Sequence, residues 1–161
     1  MKPFISVALI ATLLVSLSAP AQVLTADQVP SVVKQAAKGR FPAAKDIAWK
    51  LKSDKNYEAE FMHKGTEIAA KFDAAGKWLE TESAISRSQV PKAVRAAVAE
   101  KFPKYQVVER QTVQGCSEDR LVYELHLENA KEVVKVWFSA EGTVLKQSAK
   151  PKPDKAAKHK D

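Results

Sequence analysis

Apolar residues recur along this chain in two periods, and the switch from one period to the other happens twice. Val29, Val33, Ala36, Ala37 and Phe41 fall at i, i+4, i+7, i+8 and i+12, which lines one face of a helix. Lys34, Gln35, Lys38 and Arg40 point away from that face. Val90, Val94, Ala97, Val98 and Phe102 repeat the arrangement, with Lys92, Arg95, Glu100 and Lys101 outside. The two stretches are copies. Val29, Pro30, Val33, Ala36, Phe41 and Pro42 return 61 positions later as Val90, Pro91, Val94, Ala97, Phe102 and Pro103. Asp27 and Ser88 stand where N-cap side chains are expected, and Pro30 and Pro91 suit a first turn, where a missing N–H costs nothing. Pro42 and Pro103 end each helix, because the residue before a proline disfavours helical torsions.

After each helix the period becomes two, the strand period. Ile47, Trp49 and Leu51 alternate with Ala48, Lys50 and Lys52, Tyr57, Ala59 and Phe61 with Glu58, Glu60 and Met62, and Ile68, Ala70 and Phe72 with Ala69 and Lys71. Asp73-Ala74-Ala75-Gly76 reads as a hairpin turn with glycine where φ must be positive. Trp78–Glu82 follows as a fourth strand, of unassigned register. Further on, Tyr57 returns as Tyr123, Phe72 as Phe138 and Gly76 as Gly142, now 66 positions later. Five residues are therefore inserted, most simply in the loop Gln114–Arg120. The expected fold class is α+β: two tandem units, each a helix plus a four-stranded antiparallel sheet, with the helices packed on one sheet face. The bounds are 27–85 for the first unit and 86–148 for the second. The short join between them implies sheets that lie side by side or fuse.

The doubled Val-Pro…Phe-Pro helix and the Phe-Asp-x-x-Gly-Lys-Trp turn at Phe72–Trp78 resemble the PepSY-like family of exported bacterial proteins, which is also described as similar to the β-lactamase inhibitor protein. The resemblance covers about residues 27–147. The second copy departs from the turn motif, with Ser139 in place of the aspartate and Thr143-Val144 in place of Lys-Trp. What the resemblance implies is this architecture, no catalysis, and a role in binding or inhibiting a protein partner. Fold analogy by itself names no target.

Composition adds a compartment. Lys2, an apolar run from Phe4 to Leu17 and Ala19-Pro20-Ala21 make residues 1–21 a secretory signal, which implies a periplasmic or secreted protein. The apolar run is short for a membrane span. One cysteine, Cys116, precludes an intrachain disulfide; it reads as an incidental exposed thiol, with a disulfide-linked dimer or a redox-sensitive contact as the functional alternatives. The net charge of +7 is largely terminal: Lys2 supplies one, and the Lys-rich stretch 149–161, expected to be a disordered tail, supplies three (five Lys against two Asp). The rest is about +3, which gives little support to a nucleic-acid partner.

Little in the chain carries reaction chemistry. His63, His126 and His159 are scattered, with no H-E-x-x-H and no C-x-x-C, so no metal or other cofactor is expected. Cys116 has Glu118 and Asp119 beside it, which blunts a thiolate. The Glu58/Glu60 pair shares its strand face with lysines and reads as solvated ion pairs, not as an acid–base pair. The reading is a non-enzyme. Each sheet should leave one face bare, carrying Glu58, Lys71, Glu124, His126, Lys135 and Trp137. An exposed tryptophan amid charges suits a protein interface; packing of Trp137 at the seam between sheets is the other reading. These six residues and Cys116 are the candidate contacts for a protein or peptide partner in the cell envelope. The competing function is a periplasmic small-ligand or cation sensor.

Overall fold

The computed structural model describes residues 21–116 and 121–153. The expected signal segment, apart from Ala21, lies outside the described residues. The strands are β1 (Gln22–Leu24), β2 (Ala48–Leu51), β3 (Tyr57–His63), β4 (Thr66–Phe72), β5 (Trp78–Ala84), β6 (Gln106–Gly115), β7 (Leu121–Glu128), β8 (Glu132–Phe138) and β9 (Val144–Pro151). Helix α1 (Ser31–Arg40) lies between β1 and β2, and α2 (Lys92–Lys101) lies between β5 and β6.

The α+β expectation of two separate helix-plus-four-strand units is wrong. All nine strands form one antiparallel sheet in the order β1 to β9, and the protein is mostly β with two short helices. The reason is β5. On one side it pairs with β4, and on the other with β6, from Glu80↔Gly115 to Ala84↔Gln111. It closes the first half and also opens the second, just as β1 pairs with β2 through Leu24↔Trp49 before α1. An unpaired edge at this point would expose a row of backbone donors and acceptors, and sharing one strand satisfies them. β1 falls between the expected signal at 1–21 and the expected first unit at 27–85, and its three residues are too few to show an alternation.

Asp27 and Ser88 are not helix N-caps. Each sits inside a 3-10 turn, Ala26–Gln28 or Arg87–Gln89, and the capping boxes are Thr25 with Gln28 and Ser86 with Gln89. Pro30 and Pro91 hold the cap positions of the helices proper. Both helices lie on the same face of the sheet. Under α1, Val29, Val33, Ala37, Trp49, Ala59, Phe61, Ile68, Ala70 and Phe72 form a buried cluster. Under α2, Val90, Val94, Ala97, Val98, Leu125, Leu127, Val134, Val136 and Phe138 form another. The turns before β5 and β9 slide beneath the helices. A Cβ on Gly142 (φ +84°) would lie 2.6 Å from the Ala93 carbonyl oxygen, so that position admits no side chain. β9 continues through Ala149 to Pro151, paired to Glu132, so the lysine-rich stretch begins as strand. Residues 154–161 lie outside the described ones.

Candidate functional site

The face opposite the helices is bare from β2 to β9, and strand parity decides what it displays. β3 contributes Glu58, Glu60 and Met62, and β4 contributes Glu67, Ala69 and Lys71. β5 adds Glu80 and Glu82, β6 adds Glu109, Gln111 and Val113, and β7 adds Glu124 and His126. β8 presents Lys135 and Trp137 beside Ser148 and Lys146 of β9.

Ion pairs tile this face. Lys50 pairs with Glu60 and Lys71 with Glu80. Lys52 Nζ donates to Glu58 Oε1 at 2.9 Å. Glu58 is only 4% exposed and Glu124 only 2%, although both lie on the uncovered side, because their neighbours fold over them. Glu124 Oε1 accepts from Lys135 Nζ at 3.1 Å and contacts His126 Nε2 at 2.7 Å. The other ring nitrogen of His126 meets Glu109 Oε2 at 2.5 Å, so the imidazole bridges two carboxylates. Burial pushes the Glu124 pKa up, but the His126 and Lys135 contacts overcome it and bring it from 4.5 to about 2. Lys71 is desolvated too, yet its bond to Glu80 leaves its pKa raised.

Glu82, half-buried, takes part in no ion pair among the described residues. It stands on β5 at the middle of the face, where its carboxylate accepts a hydrogen bond from Gln111 Nε2 at 2.8 Å. Burial, followed by the repulsion of Glu124, raises its pKa, against the weaker pull of Lys71. Around it the sheet forms a basin of about 190 Å³ lined by Lys52, Glu58, Glu60, Glu67, Ala69, Glu82, Ala84, Glu109, Gln111, His126 and Lys135. The basin is acidic at its centre, and lysines occupy its ends.

The predicted contact residues fall into three places. Trp137, Glu124, His126 and Lys135 are mutual neighbours on β7 and β8, through Glu124↔Trp137 and His126↔Lys135. Glu58 and Lys71 face each other across β3 and β4. Three strands lie between those of Glu58 and Glu124, yet the curl of the sheet lets Glu58 and His126 line one basin. Cys116 is exposed at the end of β6, its N–H bonded to the Leu79 carbonyl at 2.8 Å. Trp137 does not pack at a seam: two strands, β6 and β7, lie between it and β5, and Lys146 Nζ sits 4.9 Å over its ring. Trp78 lies on the helix side, where the Arg40 guanidinium stacks 3.4 Å from its ring centroid. Sequence reasoning missed Glu82, Glu109 and Gln111. The signal was available, since Lys50 recurs as Gln111 at the 61-residue offset, and that places Glu109 and Gln111 on one strand face.

In form the protein is one sheet with both helices on one side and an organised polar surface on the other. Residues 55–146 match the profile of a family described as "Putative beta-lactamase-inhibitor-like, PepSY-like", and the chain belongs to that family. Solved structures agree on the fold. A BLIP-like protein from Bacteroides fragilis is 25% identical, with a TM-score of 0.64 over 78% of this chain and 89% of its own. A chain from Bacteroides eggerthii described as "putative periplasmic" is also 25% identical, with a TM-score of 0.67 over 75% of this chain and 88% of its own. A DUF2874 family protein from Bacteroides uniformis, 22% identical, gives 0.67 over 74% and 88%. No curated protein matches the chain.

Proposed function

We propose that this protein is an exported, non-catalytic binding module, periplasmic or secreted, that docks a protein partner of the cell envelope on its uncovered sheet face, in the manner of an inhibitor. The observation that carries the reading is the asymmetry of the sheet. Both helices lie on one side, and the other side holds a continuous ion-paired surface with Trp137 half-buried among lysines. Half-buried aromatics serve as anchors at interfaces, and charge pattern selects partners and speeds encounter. The acidic centre and lysine-rich β8–β9 edge favour a partner that presents positive charge to the middle and acidic groups to that edge. Membership of a beta-lactamase-inhibitor-like family and likeness to periplasmic and BLIP-like structures support the same reading.

A photo-crosslinking residue at Ala69 or Ser148 samples this face, and one at Gln35 samples the helix side. In envelope extract, both face positions should capture the same protein, Gln35 should not, and Trp137→Ala should abolish the capture. Equal capture from Gln35, or capture indifferent to Trp137, would refute the proposal. A small-ligand reading has one observation in its favour, an arginine-lined groove on the helix side. The cation-sensing reading lacks a comparable feature: among the described residues no three His, Cys, Asp or Glu side chains group to hold a metal ion.

A further inference from the structure

The two halves differ most on the helix side at one pair of equivalent positions. In the first half Trp49 lies opposite Ala59 and is 5% exposed, filling the space beside α1. In the second half the strand position of Trp49 is taken by Arg110, opposite Leu125. Leu125 recovers part of the lost volume. What remains is a groove of about 370 Å³ between α2 and the sheet, a size typical of small-molecule sites. Its floor is apolar, from Val90, Val98, Val107 and Leu125, and Arg87, Arg95 and Arg110 surround it.

These arginines are poorly satisfied. Among the described residues, no arginine takes part in an ion pair. Arg110, half-buried, donates from Nη2 to the Val107 carbonyl at 3.1 Å, and its side chain has no other hydrogen bond among the described residues. Arg95 Nη1 ties back to the Arg87 and Val90 carbonyls, the task that Lys34 performs for Ala26 in the first half. A guanidinium has five donors in a fixed fork, so most of this capacity stays open. Three permanent positive charges around an apolar floor complement one ligand class, an anion with a hydrocarbon body. Guanidinium forks match carboxylates bidentately and strongly where water is excluded.

We propose that this groove binds a monocarboxylate with an unbranched alkyl body, its head on Arg110, Arg87 and Arg95 and its chain along Val98, Val107 and Leu125. The site lies on the face opposite the protein-docking surface and stands or falls separately from it. Calorimetric titration of the full chain with decanoate, below its micellar range, tests it. Binding should be saturable at one site, with acetate and decanol at least tenfold weaker, since each supplies only half of the recognition. Amide shifts on titration should map to Val98, Val107 and Leu125 and not to Glu82 or Lys135. Arg110→Gln should weaken binding tenfold or more. Arg110→Trp, which restores the residue of the first half, should abolish binding while thermal unfolding stays cooperative. Non-saturable uptake of decanoate, shifts confined to the uncovered face, or an unchanged affinity in Arg110→Gln would overturn the assignment.

Discussion

Glu124→Gln should destabilise the protein at neutral pH and cease to matter in strong acid. The side chain is 2% exposed, and its carboxylate is held by His126 and Lys135. Its pKa falls from 4.5 to about 2, and at about 1.4 kcal/mol per pH unit the preference for the charged form has an upper limit of about 3 kcal/mol. Lys135 is 46% exposed, so solvent screens part of its attraction and about 2–3 kcal/mol is the expected loss. A group with a depressed folded pKa stabilises fully above its unfolded value, and this contribution disappears as pH falls through the folded value. Wild type should therefore lose this increment between pH 4.5 and about 2, while Glu124→Gln has none of it to lose. Urea unfolding of both proteins at pH 7, 4.5, 3 and 2 reads the gap directly. A gap that is as wide at pH 2 as at pH 7 would mean the loss is one of packing. No gap at pH 7 would mean that desolvation cancels the attraction, as it does for many buried pairs.

Glu82 has the opposite sign. Its folded pKa is raised, so its charge opposes folding at neutral pH; Glu82→Gln should raise the urea midpoint at pH 7, and the gain should fade as pH falls through the folded pKa toward the unfolded one. Gly142→Ala drives a Cβ to 2.6 Å from the Ala93 carbonyl at φ +84° and should cost at least about 2 kcal/mol, seen as a lowered midpoint on denaturation. Phe102→Ala removes a half-buried ring that meets Tyr105 and Phe138 edge-on and should cost about 3 kcal/mol. Because β5 belongs to both halves, calorimetry of Phe102→Ala should give one transition at lower temperature; two transitions would show that the halves melt apart.

The sequence was legible where periodicity and burial coincide. The helix faces, the inward rows Tyr57–Phe61 and Ile68–Phe72, and the glycine turn follow from spacing alone, and they are where the structure places its cores. The same rule gave the uncovered row from Glu58 to Trp137. It failed at β5, whose residues Trp78–Ala84 are all half-buried or exposed, so no alternation marks the strand as central. A bulge between Lys71 and Phe72 also shifts its pairing with β4. Propensity cannot reveal that a strand has partners on both sides, and that one fact changes two expected sheets into one. The caps failed for a related reason. The 3-10 turns put the capping boxes of Thr25 and Ser86 before Asp27 and Ser88, and a proline at each helix cap hides the boundary.

The fused sheet also locates the binding surface more sharply than the repeat did. Equivalent positions on the uncovered face can be compared across the halves. In the first, cations and acids neutralise each other pairwise: Lys50 with Glu60, Lys52 with Glu58, Lys71 with Glu80. In the second, the places of Lys50, Glu60 and Lys71 are taken by Gln111, His126 and Trp137. The cation on β6 has gone, Glu82 is left with an amide as its donor, and a tryptophan replaces a lysine. Paired surface charges contribute little to binding, because separating them from each other costs nearly what a new partner returns. Incompletely neutralised carboxylates, on the same face as a half-buried aromatic ring, retain interaction free energy for a partner. On the proposed docking reading, affinity should therefore depend on Glu82, Glu109 and Trp137 in the middle and second half of the sheet. Lys50→Ala, which disrupts only an internal pair of the first half, should leave it nearly unchanged.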